Sequence, residues 1–136
     1  MRLNGLQCVL GRGGALGFGV PRVEGGVRGT TSERDSMAIV MNLAWPEITP
    51  ESYDASRERV RWEEDVPDGC LMHVGWFGDD GFHALDVWEP ERQFNQFIAD
   101  RIGPVVKGEL GVESDPQVTI STLRRRFVAP GVTGAA

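Results

Sequence analysis

The sequence predicts an α+β domain in the order strand, helix, strand, strand, helix, strand, with four antiparallel strands and both helices on one face of the sheet. Three observations carry that expectation. Apolar residues alternate from Ile39 to Trp45, as they do in a strand with one oily side. The tetrapeptide GDDG, residues 78–81, separates two apolar runs and reads as a hairpin turn. In the second half, Phe94, Phe97, Ile98 and Ile102 fall at helical spacing.

Taken in order, the first strand puts Ile39, Met41, Leu43 and Trp45 on one face and Val40, Asn42 and Ala44 on the other. Thr49-Pro50-Glu51 then supplies an N-cap, a proline suited to the first helical position and an acid for the positive end of the helix dipole, predicting a helix to about Glu64. Its apolar stripe, Tyr53, Ser56 and Val60, is thin. Pro67-Asp68-Gly69 turns the chain into a second strand, Cys70 to Phe77, and the third runs from Phe82 to Trp88. Glu89-Pro90-Glu91 opens the second helix, which Gly103-Pro104 ends or kinks. After Pro116, Gln117 to Leu123 forms the fourth strand, with Val118, Ile120 and Thr122 on one side. This order is the split strand–helix–strand unit, the ferredoxin-like fold. One face of its sheet lies open, and a twofold homodimer packing two such faces together, a dimeric α/β barrel, would cover it.

The composition is that of a folded globular chain, 40% hydrophobic and 25% charged, and no apolar run approaches the roughly 20 residues of a membrane-spanning helix. The formal charge of −6 is uneven: residues 1–36 carry five Arg against Glu24, Glu33 and Asp35, and the rest carries nine Lys and Arg against seventeen acids. An acidic main body argues against nucleic acid or an anionic membrane as partner. The basic run Arg124-Arg125-Arg126 could touch phosphate, but it reads first as a solvated strand end. Cys8 and Cys70 stand in dissimilar contexts, without a disulfide framework or a zinc pattern. The expectation is a cytoplasmic protein without metal or cofactor.

Residues 1–36 hold half of the chain's 18 glycines, and a segment of that composition cannot bury much surface. GRGGALGFG matches neither GxGxxG nor GxxxxGK[ST], no strand precedes it, and glycine and arginine interrupt every stretch that could serve as a secretory signal. The text changes at MAIVMNLAW, so residues 1–36 are expected to be a disordered extension or a misassigned start, with Met37 the true one. The folded domain is placed over 37–128, followed by a flexible tail over 129–136.

The hairpin raises the functional question. With Gly78 and Gly81 flanking Asp79-Asp80, Phe77 opposes Phe82, Gly75 opposes Ala84, His73 opposes Asp86 and Leu71 opposes Trp88. The alternate set, Met72 with Val87, Val74 with Leu85 and Trp76 with His83, is oilier and is placed under the helices. His73 and Asp86 then face the open side, beside Leu71 and Trp88 and together with Asn42 and Thr119. A carboxylate beside an imidazole fixes its tautomer and strengthens it as a general base, which makes His73 and Asp86 the candidate catalytic pair. The competing reading is a hydrogen-bonded contact within a dimer interface. His83, near the turn beside Trp76, reads as a structural residue at the sheet edge.

The element order, together with MAIVMNLAWPEITPESYD, HVGWF and DVWEPERQFNQFIADRIGP, resembles the dimeric alpha-beta barrel superfamily, in particular small actinobacterial-type proteins related to antibiotic-biosynthesis monooxygenases. The resemblance covers residues 37 to about 128, and its most telling piece is Asp86 and Trp88 followed by Phe94 and Phe97. In the cofactor-independent oxygenases and haem-degrading enzymes of that superfamily, an Asn on the first strand and a Trp ending the third line the substrate cavity, and Asn42 and Trp88 stand at matching places. The haem-degrading members hold iron through a His on the second helix; Pro90 to Lys107 contains none. The resemblance implies an enzyme acting on a small aromatic or polyketide-like molecule, with Asn42 and Trp88 binding substrate; Leu71 and Thr119 join them as expected substrate-binding residues because the strand register puts them on the same face. A non-catalytic small-molecule-binding dimer and a structural homodimer stay open beside it.

Overall fold

The computed structural model describes residues 36–136. The glycine-rich extension lies, apart from Ser36, outside the described residues. Four strands, β1 (Ile39–Trp45), β2 (Cys70–Gly78), β3 (Gly81–Trp88) and β4 (Gln117–Thr122), form one antiparallel sheet in the order β2-β3-β1-β4. Helix α1 spans Pro50–Val60 between β1 and β2, and α2 begins at Glu91–Phe97 between β3 and β4. This is the ferredoxin-like α+β arrangement, and strands adjacent in sequence across each helix are not the ones that pair.

Local chemistry sets the helix ends. Thr49 caps α1 by accepting from the Ser52 N–H, and the Ser52 side chain accepts in turn from the Thr49 N–H, so two otherwise orphaned donors are satisfied. The helix stops at Val60, short of Glu64, because Arg61 turns into the left-handed region at φ 57°. Arg101 then holds the loose end, donating to the Val60 carbonyl at 2.6 Å and the Asp65 carbonyl at 2.9 Å.

Beyond Phe97 the second helix does not end at Gly103-Pro104. It widens into two π-type segments, Ile98–Ile102 and Pro104–Glu109, with Gly103 itself helical and its N–H bonded back to the Ile98 carbonyl. A wider turn loosens the ladder around a residue that lacks an N–H, so the proline is absorbed rather than breaking the helix.

The core lies between the sheet and the helices. Ile39, Met41, Leu43 and Trp45 of β1 are buried there with Phe82, Ala84 and Trp88 of β3, Phe94 of α2, and Val106 and Val112 after it. Trp88 packs against Phe94 and Phe97 at ring-centroid distances of 5.7 and 5.2 Å. Apolar burial of a cluster this size is the main term holding so small a domain together.

The hairpin register follows the sequence reading for most of its length, with Phe77 opposite Phe82, Gly75 opposite Ala84 and His73 opposite Asp86. At its far end a bulge between Cys70 and Met72 makes Cys70, not Leu71, the partner of Trp88. The face assignment is reversed. Strand β1 pairs Met41 with Asp86, Leu43 with Ala84 and Ile39 with Trp88, and direct partners point to the same side. His73, Asp86 and Trp88 therefore lie beneath the helices, while Met72, Val74, Trp76, Leu85 and Val87 face the open side. Summed hydropathy misleads because it scores residues singly: two polar groups that satisfy each other can be buried at little cost, and the facing Gly75 and Ala84 lower the apparent oiliness of the covered face.

Candidate functional site

Under the helices, four side chains from three elements form one hydrogen-bonded chain. Tyr53 of α1 reaches down to β2, where its hydroxyl lies 2.9 Å from His73 Nε2. On the other side of the ring, His73 Nδ1 is 2.6 Å from Asp86 Oδ1 across the β2–β3 pairing. Trp88 Nε1 donates to Asp86 Oδ2 at a long 3.4 Å. The carboxylate fixes the tautomer: Nδ1–H donates to Asp86, and Nε2 is left to accept from the Tyr53 hydroxyl.

The relay runs from a buried carboxylate to two half-buried groups. The Asp86 side chain is 10% exposed and that of His73 26%, while Tyr53 is half-buried. Aromatic rings wall it in: Trp62 stands 5.7 Å from the His73 ring and 5.9 Å from Tyr53, and Phe82 and Phe77 lie 5.0 and 6.3 Å from Tyr53. Gly75 leaves the space for the phenol, since a Cβ there would come within 3.2 Å of the Tyr53 hydroxyl and 3.3 Å of the Phe82 ring.

Burial, reinforced by the negative charge of Glu63, pushes the Tyr53 phenol above its ordinary pKa, so at neutral pH it is a proton donor. Burial, with the Asp86 charge close by, likewise raises the Cys70 thiol to about 11. Cys70 is thus a protonated, partly buried residue packed against the core, not a nucleophile. The second His–Asp contact, His83 Nε2 to Asp80 Oδ1 at 2.7 Å, sits at the turn with His83 stacked on Trp76, and its hydrogen bond holds the Asp80 carboxyl below its ordinary range.

The other residues expected to line this site stand elsewhere. Asn42 and Thr119 oppose each other, but both are exposed and on the open face, across the sheet from His73. Leu71 is the extra residue of the bulge and is half-exposed. Trp88 is close to Asp86 yet 1% exposed, a core residue that anchors the carboxylate. Tyr53 and Trp62 were missed. The available signal was that Tyr53, the only tyrosine in the chain, lies on the stripe of α1 that faces the sheet. Among the described residues no group of three or more His, Cys, Asp or Glu is placed to hold a metal ion, and no helix is long and apolar enough to cross a membrane.

No family model matches the chain, and no curated protein does. Among solved structures, a conserved protein from Methanosarcina mazei Go1 is similar at 15% identity over 67% of this chain and 97% of that one, with a TM-score of 0.45. A monooxygenase from the gene ActVA-Orf6 of Streptomyces coelicolor, solved with Nanaomycin D, is similar at 19% identity over 71% of this chain and 95% of that one, with a TM-score of 0.44. The chain's own sheet order and helix placement make it a ferredoxin-like α+β protein.

Proposed function

We propose that the protein is a small enzyme of the cofactor-independent monooxygenase type, which deprotonates a small aromatic or polyketide-like phenol at the Tyr53–His73–Asp86 relay so that the resulting anion reacts with dioxygen. The observation that supports this reading is the relay itself: a phenol, an imidazole and a carboxylate in unbroken hydrogen-bond contact, walled by aromatic rings and running from buried Asp86 to half-buried His73 and Tyr53. A substrate hydroxyl that reaches Tyr53 Oη gives its proton to the phenol oxygen as the phenol proton passes to His73 Nε2. Asp86 then stabilises the imidazolium. In the overall change, phenol and dioxygen become quinone and water, the substrate supplying all the electrons. The working unit in this proposal is a homodimer joined through the open sheet face, where Val74 and Trp76 stand 46% and 44% exposed.

Oxygen uptake with a panel of naphthols and anthrols tests the proposal, with products identified by mass as one oxygen gained and two hydrogens lost. Turnover that His73→Ala and Tyr53→Phe reduce at least about 100-fold is expected for general acid–base catalysis. No uptake with any member, or uptake indifferent to both substitutions, overturns it. A non-catalytic homodimer is favoured by one feature: the relay is closed on itself, with both His73 nitrogens already occupied.

A further inference from the structure

The open face of the sheet is crossed at one end by the chain itself. Leu123, just past β4, donates its N–H to the carbonyl of Ala38, the residue before β1, at 2.9 Å, and the chain then leaves the sheet edge. Three residues on, Arg126 stands at the opposite edge of the sheet, its Nη1 3.5 Å from the Leu71 carbonyl of β2. This strap and the sheet border an open hollow of about 230 Å³, with Arg125, Arg126 and Phe127 themselves exposed to solvent. Its floor is wholly aliphatic or thioether, formed by Val40, Met72, Leu85 and Val87; Leu123, Arg125, Arg126 and Phe127 supply the strap side.

The walls of this hollow include two guanidinium-bearing residues and no acid, in a chain whose net charge is −6. Among the described residues Arg125 makes no ion pair or hydrogen bond, and Arg126 makes only the long contact to Leu71. An unpaired guanidinium beside an apolar hollow recognises an anion that carries a hydrophobic body. The volume equals that of roughly eight water molecules, room for a short aliphatic chain or a single ring.

We propose that the hollow between the open sheet face and the strap Leu123–Phe127 binds a small amphipathic carboxylate, its apolar body on Val40, Leu85 and Val87 and its carboxylate held by Arg125 with Arg126 beside it. This site is on the other side of the sheet from the Tyr53–His73–Asp86 relay and does not depend on the function proposed for that relay. It lies mainly toward the Ile39–Trp88 end, clear of Trp76 near the hairpin turn, but it adjoins the exposed Val74, which pairs with Leu85 of its floor.

Titration calorimetry of the full chain with sodium octanoate, and with octanol as the uncharged control, tests the proposal. Saturable binding of one octanoate per chain is expected, at least about tenfold tighter than octanol and weakened about tenfold or more by Arg125→Gln. Filling the floor with Val40→Phe is expected to abolish it, while His73→Ala leaves it unchanged. Circular dichroism of each variant establishes that it is folded. Absence of saturable octanoate binding at millimolar concentration, equal binding of octanol, or affinity untouched by both Arg125→Gln and Arg126→Gln overturns the proposal. If binding falls with His73→Ala and not with Arg125→Gln, the carboxylate is entering the helix-side site instead, and the proposal is likewise overturned.

Discussion

Replacing Asp86 with alanine tests whether the relay is a connected unit. The substitution leaves the His73 Nδ1–H without its 2.6 Å acceptor and removes the 3.4 Å contact of the buried Trp88 indole. Losing a hydrogen bond to a charged partner costs about 1.5–3 kcal/mol, and the longer indole bond adds about 1 kcal/mol. Removing a buried carboxylate returns part of its desolvation cost, so a net loss of about 3 kcal/mol is expected. Urea unfolding followed by tryptophan fluorescence and far-ultraviolet circular dichroism reads it directly: with a slope of about 2 kcal/mol/M, the midpoint falls by about 1.5 M at unchanged slope. The double variant His73→Leu with Asp86→Leu removes both polar partners and is expected to lie within about 1 kcal/mol of the parent. A single-variant loss below about 1 kcal/mol, or a double variant whose loss is the sum of its singles, refutes the coupled relay. A double variant more stable than the parent fits a site kept for its chemistry, because functional polar groups are commonly retained against stability.

Other substitutions separate the relay from its surroundings. Gly75→Ala crowds the Tyr53 hydroxyl at 3.2 Å, so turnover of a discovered substrate is expected to fall about tenfold while the fold survives, as kinetics beside a thermal melt will show. Cys70, with its thiol pushed up to about 11, is expected to resist alkylation. In a Cys8→Ser background only about one thiol in a thousand is ionised at about pH 8, so the iodoacetamide rate should climb tenfold per pH unit toward that value. A fast rate at neutral pH would contradict the burial seen here. Thr49→Ala removes the reciprocal cap of α1 and is expected to lower stability by about 1 kcal/mol, a fall of about 5 °C in melting temperature.

The sequence alone determined the elements and their order. Alternation in β1, the Thr49 cap, the GDDG turn and the helical spacing of Phe94 and Phe97 are local signals, because strand pleat, helix pitch and turn chemistry act over a few residues. The opposition of His73 and Asp86 was legible for the same reason, since a two-residue turn fixes register by counting. Which face that pair occupies was decided only in the tertiary structure. It depends on how β3 pairs with β1, a contact between residues about 45 apart in the chain that no local pattern encodes. The same non-local pairing separated Asn42 and Thr119 from His73 and brought Tyr53 from α1 onto its free nitrogen. Burial of a mutually satisfied polar pair costs little and carries no hydropathy signal, so the centre of the candidate site became visible only when the helix, the hairpin and the first strand were packed together.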